Sequence, residues 1–260
     1  ASLRDSQLPD GSGTADDQGA SESEPTEELS WLAAEVRTGA HHLALPARRV
    51  GLESPFDYGA QTQIYIVRDV RRDDPAQVAA AYRDLFLAAG GGGLGLFTAI
   101  QRLRGVHEHI AAKMADAGIS LLAQHVDAMD TGTLVDIFRA EPDSCLLGTD
   151  AVRDGVDVPG RSLRLIIFDR VPWPRPDILH RARKAAFGGA AYDDRIARLR
   201  LKQAFGRLVR QGTDRGVFVM LDSRTPTRLT TAFPKGVEIQ RTGIKDAIAG
   251  VAAFLGKSQD

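Results

Sequence analysis

The segment 203–210, QAFGRLVR, holds the residue types and spacing most able to do chemistry. Arg207 and Arg210 stand three apart, which on a helix places them at neighbouring positions of one face. Gly206 removes side-chain bulk beside them, so a phosphate or a facing domain can come close. Each guanidinium offers a planar fork of donors and never loses its charge, which suits a polyphosphate. An enzyme that closes on ATP needs such an arginine at the γ-phosphate, where charge redistributes in the transition state. An exposed basic helix with routine ion pairs would carry the same residues.

A second segment, GTDAVRDGVDVPG at 148–160, directly follows the apolar run Cys145, Leu146, Leu147. A strand that ends in a loop rich in Gly and Asp is where an α/β protein places ligand contacts. Asp154, Gly155 and Asp157 fit a loop that holds backbone amides toward phosphate and braces nearby arginines; a plain structural turn is the rival account. Asp150, Asp154 and Asp157 do not meet the spacing of a calcium loop. A third segment, GLGLFTAIQRL at 93–103, reads as a strand, then Thr98 at its carboxyl end, then a helix start. A hydroxyl and free helix amides there can hold a nucleic-acid phosphate, although any βα unit shares this pattern.

Other candidates fail on spacing. Gly256, Lys257 and Ser258 spell the end of a phosphate-binding loop, but Val251 occupies the earlier glycine position and no strand directly precedes it. His41 and His42 are adjacent, and His107 and His109 diverge on a helix, so neither pair can chelate. The single cysteine, Cys145, excludes an internal disulfide and any multi-cysteine metal or iron–sulfur site. No metal site is expected in this chain.

These segments sit in an α/β pattern. Strands are expected at 63–67, 94–98, 120–124, 144–147, 163–168 and 217–221, several of them short, apolar and β-branched as in a parallel sheet. Helical periodicity falls between them at 75–89, 101–117, 133–139, 177–186, 193–211 and 242–255. Strands alternating with crossover helices predict a doubly wound, mostly parallel sheet with helices on both faces. Ligands in such sheets bind at the carboxyl ends of the strands.

The 260 residues carry 33 Lys and Arg against 34 Asp and Glu, a net charge of -1. That balance hides an asymmetry. Nine acids and no Lys or Arg lie between residues 5 and 36, which leaves the remainder at a net of +8. A moderately basic body permits a nucleic-acid partner without requiring one. Residues 1–29 read as a disordered acidic linker rich in Ser and Gly, and residues 30–260 as the folded domain. No apolar run has the roughly 18 to 20 residues of a membrane span. The start at Ala1 rather than Met suggests a fragment or a processed product.

Taken in order, these motifs resemble those of the C-terminal helicase domain of the DinG-like, XPD-related superfamily 2 DNA helicases, from about residue 48 to 224. RRVGLESPFDY at 48–58 resembles the start of the family's second motor domain, and GLGLFTA its motif IV. GTDAVRDGVDVPG resembles motif V, IIFDRVPWPRPD at 166–177 the segment after it, and LRLKQAFGRLVRQGTDRGVFVMLDSR at 199–224 motif VI with its trailing strand. ASL at the start resembles the end of motif III. The resemblance implies a three-layer RecA-like fold in which Arg210 reaches the γ-phosphate of ATP, with Arg207 beside it. It places Gln203, Gly206, Asp154, Gly155 and Asp157 around the nucleotide, and Thr98, Thr149 and Arg153 on single-stranded DNA. Motif V departs from the family: Ala151, Val152, Arg153 and Asp154 stand where a small residue, two aromatics and Glu are usual. Arg153 would therefore contact phosphate instead of stacking on a base.

The implied whole is an ATP-dependent helicase of DNA repair or replication, moving 5′ to 3′. Its ATP and Mg would be shared with an N-terminal RecA-like domain absent from this sequence. An iron–sulfur cluster, if the protein has one, would belong to that absent half. The segment alone would be inactive, and the location cytoplasmic and nucleoid-associated. The competing reading is a nucleic-acid-binding or regulatory RecA-like module without motor activity.

Overall fold

A computed structural model describes residues 27–52, 54–155, 158 and 160–256. The expected linker at 1–29 and Asp157 of motif V fall largely or wholly outside the described residues. The chain divides into two compact units, residues 1–55 with 173–197, and residues 56–172 with 198–260.

The first unit contains α1 (Glu27–Thr38). It also includes a helix formed from ILHRARKAA, whose N-cap Asp177 accepts a bond from the His180 amide at 2.6 Å. Its ion pairs are local. Arg49 grips Glu35 through two bonds of 2.6 and 3.0 Å, and Asp193 accepts from both His180 and Lys184.

The second unit is the sheet domain. In chain order it holds α2 (Tyr58–Gln61), β1 (Thr62–Val67), α3 (Pro75–Ala89), β2 (Gly93–Leu96), α4 (Ile100–Asp116), β3 (Leu121–Ala123), α5 (Thr131–Ala140), β4 (Cys145–Gly148), α6 (Asp150–Gly155) and β5 (Leu165–Phe168). The helix of the first unit just described is α7 (Ile178–Ala186). α8 (Ala190–Phe205) runs from the first unit into the second, which closes with β6 (Gly216–Met220), β7 (Ile239–Thr242) and α9 (Ile244–Gly256). The seven strands form one sheet in the order β3-β4-β2-β5-β6-β1-β7, and every pairing is parallel. The doubly wound α/β fold expected from the sequence is therefore present. β7 falls outside the expected strands: Thr242, expected to open a helix, instead ends this edge strand. The run IQRT has no apolar alternation and is only partly buried; its parallel pairing with β1 makes it a strand.

β2, β4, β5 and β6 are buried along their whole length, which explains their apolar runs, and β1 is buried at every position but Gln63. On one face α3 buries Val78, Tyr82, Leu85 and Phe86, packed with α4 and α9. Tyr82 stacks on Phe97 with ring centroids 4.7 Å apart. The Tyr82 and Phe86 rings lie directly on the β2 backbone. A Cβ at Gly95 would meet Tyr82 Cε1 at 2.7 Å, so glycine is required there by close approach rather than by flexibility. On the other face Phe205, Phe218 and Phe233 form an edge-on cluster, with centroids 5.2 to 6.3 Å apart.

At the amino ends of the strands one buried arginine ties the connections together. Arg164 donates to the carbonyls of Ala89 (2.9 Å), Gly90 (2.5 Å), Pro142 (2.9 Å) and Arg161 (2.6 Å), and to Asp143 (2.9 Å). Burial pushes its pKa below the usual range, and Asp143 opposes that shift.

Candidate functional site

The two arginines of the QAFGRLVR segment do not share a helical face. α8 ends at Phe205, and Arg207 to Arg210 form the irregular turn that leads into β6. The physical reason is visible in the burial. Leu208 and Val209, adjacent in sequence, are only 1% and 2% exposed, and both pack into the core. A continuing helix would turn one of them about 100° away from the other. Gly206, a poor helix former, marks the exit. Arg207 is half-buried; Gln203, Gly206 and Arg210 are exposed.

This turn is held by two residues that the sequence did not single out. Asp214 accepts from the backbone amides of Arg210 and Gln211, both at 2.8 Å. Gln61, at the end of α2, donates its amide to the carbonyls of Gln211 (3.2 Å), Gly212 (2.9 Å) and Asp214 (3.0 Å). The backbone groups that a longer helix would have satisfied internally are thus taken by side chains. Asp214 could have been suspected, since a carboxylate a few residues past a helix often caps a turn. Nothing local links Gln61 to a loop 150 residues away.

The motif V segment begins with Gly148 at the end of β4, but it does not continue as a loop. Residues 150–155 form α6, so Asp154 and Gly155 lie on a short helix. A loop offering free amides at those two positions is therefore corrected. Val152, fully buried beneath Gly148, anchors that helix to the sheet. The side chains of Arg153 and Asp154 lie outside the described residues, as does Asp157.

Along the carboxyl ends of the strands the expected DNA-contact residues are tied to buried polar partners. β2 ends at Leu96, so Thr98 lies two residues beyond the strand rather than in it. Its backbone amide donates to Asp169 at 3.2 Å, and Arg102 of α4 donates to the same carboxylate at 2.6 Å. Asp169 is fully buried. Burial raises its pKa, and the Arg102 bond opposes that shift. The amide of Thr98 is thus committed, while its side chain stays half-exposed. Thr149 bonds through both its amide and its hydroxyl to Oε1 of Gln124, each at 2.9 Å, and Gln124 in turn donates to Thr131 at 3.0 Å. With its proton committed to Gln124, the Thr149 hydroxyl is left as an acceptor toward any further partner.

Because the sheet is wholly parallel, Thr149, Thr98, Asp169 and Asp222 all follow neighbouring strands, β4, β2, β5 and β6, at one edge. The arginine turn precedes β6 and stands at the opposite end of that strand. One body therefore carries a row of polar groups at the carboxyl edge and a braced pair of arginines toward the amino edge. Among the described residues, no group of three or more His, Cys, Asp or Glu could hold a metal ion, and no helix is long and apolar enough to cross a membrane.

Comparison with known proteins bears on the family and the fold. Residues 82–239 match the family described as the helicase C-terminal domain. The ATP-dependent helicase DinG of Mycobacterium tuberculosis is 38% identical over 194 residues, covering 70% of this chain and 28% of that protein. The ATP-dependent DNA helicase YoaA of Escherichia coli is 32% identical over 212 residues, covering 74% and 32%. The chain thus spans about a third or less of these relatives. Among solved structures, S. cerevisiae Dbp5 bound to RNA and ADP BeF3 superposes with a TM-score of 0.57 at 15% identity, covering 86% of this chain and 52% of that one; this likeness shows the fold. The order of the motifs, the parallel sheet that carries them and the 158-residue family match together make this chain a DinG-like member of the helicase C-terminal domain family.

Proposed function

We propose that this chain is the second motor domain of an ATP-dependent DNA helicase and that Arg210 is its arginine finger. The observation that carries the reading is the braced turn. Arg210 is exposed at its surface, while its own backbone amide and that of Gln211 are fixed by Asp214. A guanidinium on a fixed backbone is organised in advance to meet charge that develops on a transferring phosphoryl group. Arg207 and Gln203 flank it, and Asp154, Gly155 and Asp157 line the nucleotide from motif V. ATP and its Mg would be bound chiefly by an N-terminal RecA-like domain, with this chain closing on the γ-phosphate side.

Thr98, Thr149 and Arg153 would hold single-stranded DNA by its backbone, independent of sequence. Closure on ATP and reopening after hydrolysis would then step the two domains along the strand, 5′ to 3′. Thr149 reaches that role only if its hydroxyl turns away from Gln124, which makes Gln124 the group that DNA must compete with.

The test is the DNA-stimulated ATPase of the full-length protein with and without Arg210→Ala. Turnover should fall by about a thousandfold or more, the scale of an arginine finger, with ATP binding largely kept. The 260-residue chain on its own should be inert. A mutant with near-normal turnover, or ATPase activity in the isolated chain, would sink the assignment.

A further inference from the structure

Beyond the expected DNA contacts, the carboxyl edge continues into a groove of about 600 Å³ at the ends of β1 and β6. Its lining includes Arg68, Arg71, Arg72, Ser223 and Arg224. Asp69, Asp73 and Asp74 line it as well, and they and the nearby Asp222 already have partners. Asp69 accepts from the Ile244 amide at 2.8 Å, and Asp74 takes the Gln77 amide and the Arg71 guanidinium. Asp73 pairs with Arg170 at 2.9 Å. Asp222 accepts from the amides of Val171 and Arg224 and stands 3.7 Å from Arg72.

Two guanidiniums are left over. Arg68, directly after β1, and Arg224, just past β6, are exposed, and neither side chain has a hydrogen bond or ion pair among the described residues. An arginine that only served the fold would be expected to find one of four nearby carboxylates. These two instead project beside an open groove, with the exposed Ser223 between the strand end and Arg224.

The position of the groove identifies its occupant. Reading across the sheet, β4, β2, β5, β6 and β1 are consecutive neighbours. Their carboxyl ends present in turn Thr149, Thr98, Arg170, Arg224 and Arg68. Strands about 4.8 Å apart make this row roughly 19 Å long, and its cationic groups all lie at the β1 end. We propose that the groove is a phosphate-binding extension of the DNA track, in which Arg68 and Arg224 each hold a backbone phosphate of the single strand. This rests on the reading of the chain as a DNA-helicase domain and adds a subsite to it. The contacts would be bidentate and independent of sequence.

The experiment measures binding of oligo(dT) to the 260-residue chain by fluorescence anisotropy over a series of salt concentrations. Arg68→Gln, Arg224→Gln and the double variant are compared with Lys113→Gln. Lys113 lies in the last turn of α4, toward the opposite edge, and serves as the charge control. Each arginine contact should contribute about 0.7 to the slope of log affinity against log salt. The double variant should therefore be shallower by about 1.4, with Lys113→Gln unchanged. Thermal melts of all variants check that they remain folded.

A wild-type chain that binds while its slope is untouched in the double variant overturns the groove alone. A Lys113→Gln slope that matches the single arginine variants overturns it as well, since net charge would then explain the effect. Saturable binding of inorganic tripolyphosphate that the double variant abolishes, with the DNA slope unchanged, would give the groove to free phosphates instead. A wild-type chain that does not bind oligo(dT) at all overturns both this subsite and the DNA contacts beneath it.

Discussion

Two sets of arginines on opposite edges of one sheet are used in opposite ways. Arg164, at the amino edge, is only 9% exposed and spends its donors on four carbonyls and one carboxylate. Arg68 and Arg224, at the carboxyl edge, are exposed and without a side-chain partner among the described residues. The residue type is the same, so the difference lies in what surrounds it. An arginine whose planar fork is saturated by backbone is part of the scaffold. One left open beside a groove is available to a ligand. The arginine turn is intermediate, with its backbone locked and Arg210 exposed.

The largest effect should come from the scaffold side. Arg164→Met keeps the side-chain volume but strands one buried and three part-buried carbonyls and leaves Asp143 with only Arg161, 3.3 Å away. Unsatisfied buried groups of this kind cost about 1–3 kcal/mol each and do not add fully. A loss on the order of 4 kcal/mol in denaturant unfolding, or failure to fold, is expected. A loss below about 1 kcal/mol, within the range of an ordinary point mutation, would erase the contrast between the edges.

The same contrast explains how far the sequence can be read. Apolar runs such as LIIF and GVFVM have a single physical explanation in an α/β chain, a strand buried on both faces, and all six expected strands are present. β7 escapes because an edge strand need not be apolar. The arginines are legible as residue types but not as geometry. Nothing local in QAFGRLVR tells that Leu208 and Val209 both enter the core and break the helix before Arg207. The braces, Gln61 on the turn and Asp169 beneath Thr98, act across 150 and 71 residues of sequence, and a single sequence carries no mark of such pairings. Motif V is recognisable as a segment; its helical start is not.

Alkaline pH probes the buried scaffold without mutation. Burial raises the Cys145 thiol to about 12, and it also raises the Tyr65 and Tyr82 hydroxyls. Each of these groups has a folded pKa above its unfolded value. Their contribution is therefore fully present below the unfolded pKa, about 8.5 for a thiol, and is lost as pH rises toward the folded value. Stability should fall progressively from about pH 9 upward. At neutral pH Cys145 should resist an aromatic disulfide reagent until the chain is unfolded. Rapid labelling of the native chain would mean that the β4 region opens easily and is not scaffold.

A smaller effect is expected at the turn. Asp214→Ala removes the acceptor of two backbone amides, a loss comparable to that of a helix cap, about 1–2 kcal/mol. In the full-length protein its ATPase turnover should fall by more than its ATP affinity, because the finger loses its fixed backbone while the nucleotide stays bound elsewhere. Equal losses in both would show that Asp214 acts only on stability.

The smallest effect is the one that most sharply separates the edges. Arg68→Gln with Arg224→Gln removes two exposed charges that have no side-chain partner among the described residues. Surface changes of this kind usually stay within about 0.5 kcal/mol. Removing like charges from a groove that already holds Arg71 and Arg72 relieves repulsion, so a slight gain in stability is as compatible as no change. Denaturant unfolding of the double variant should therefore overlay that of the parent, while its DNA affinity and salt slope fall. A loss above about 1 kcal/mol would place these arginines in the scaffold with Arg164, and the carboxyl edge would then need another explanation for its open groove.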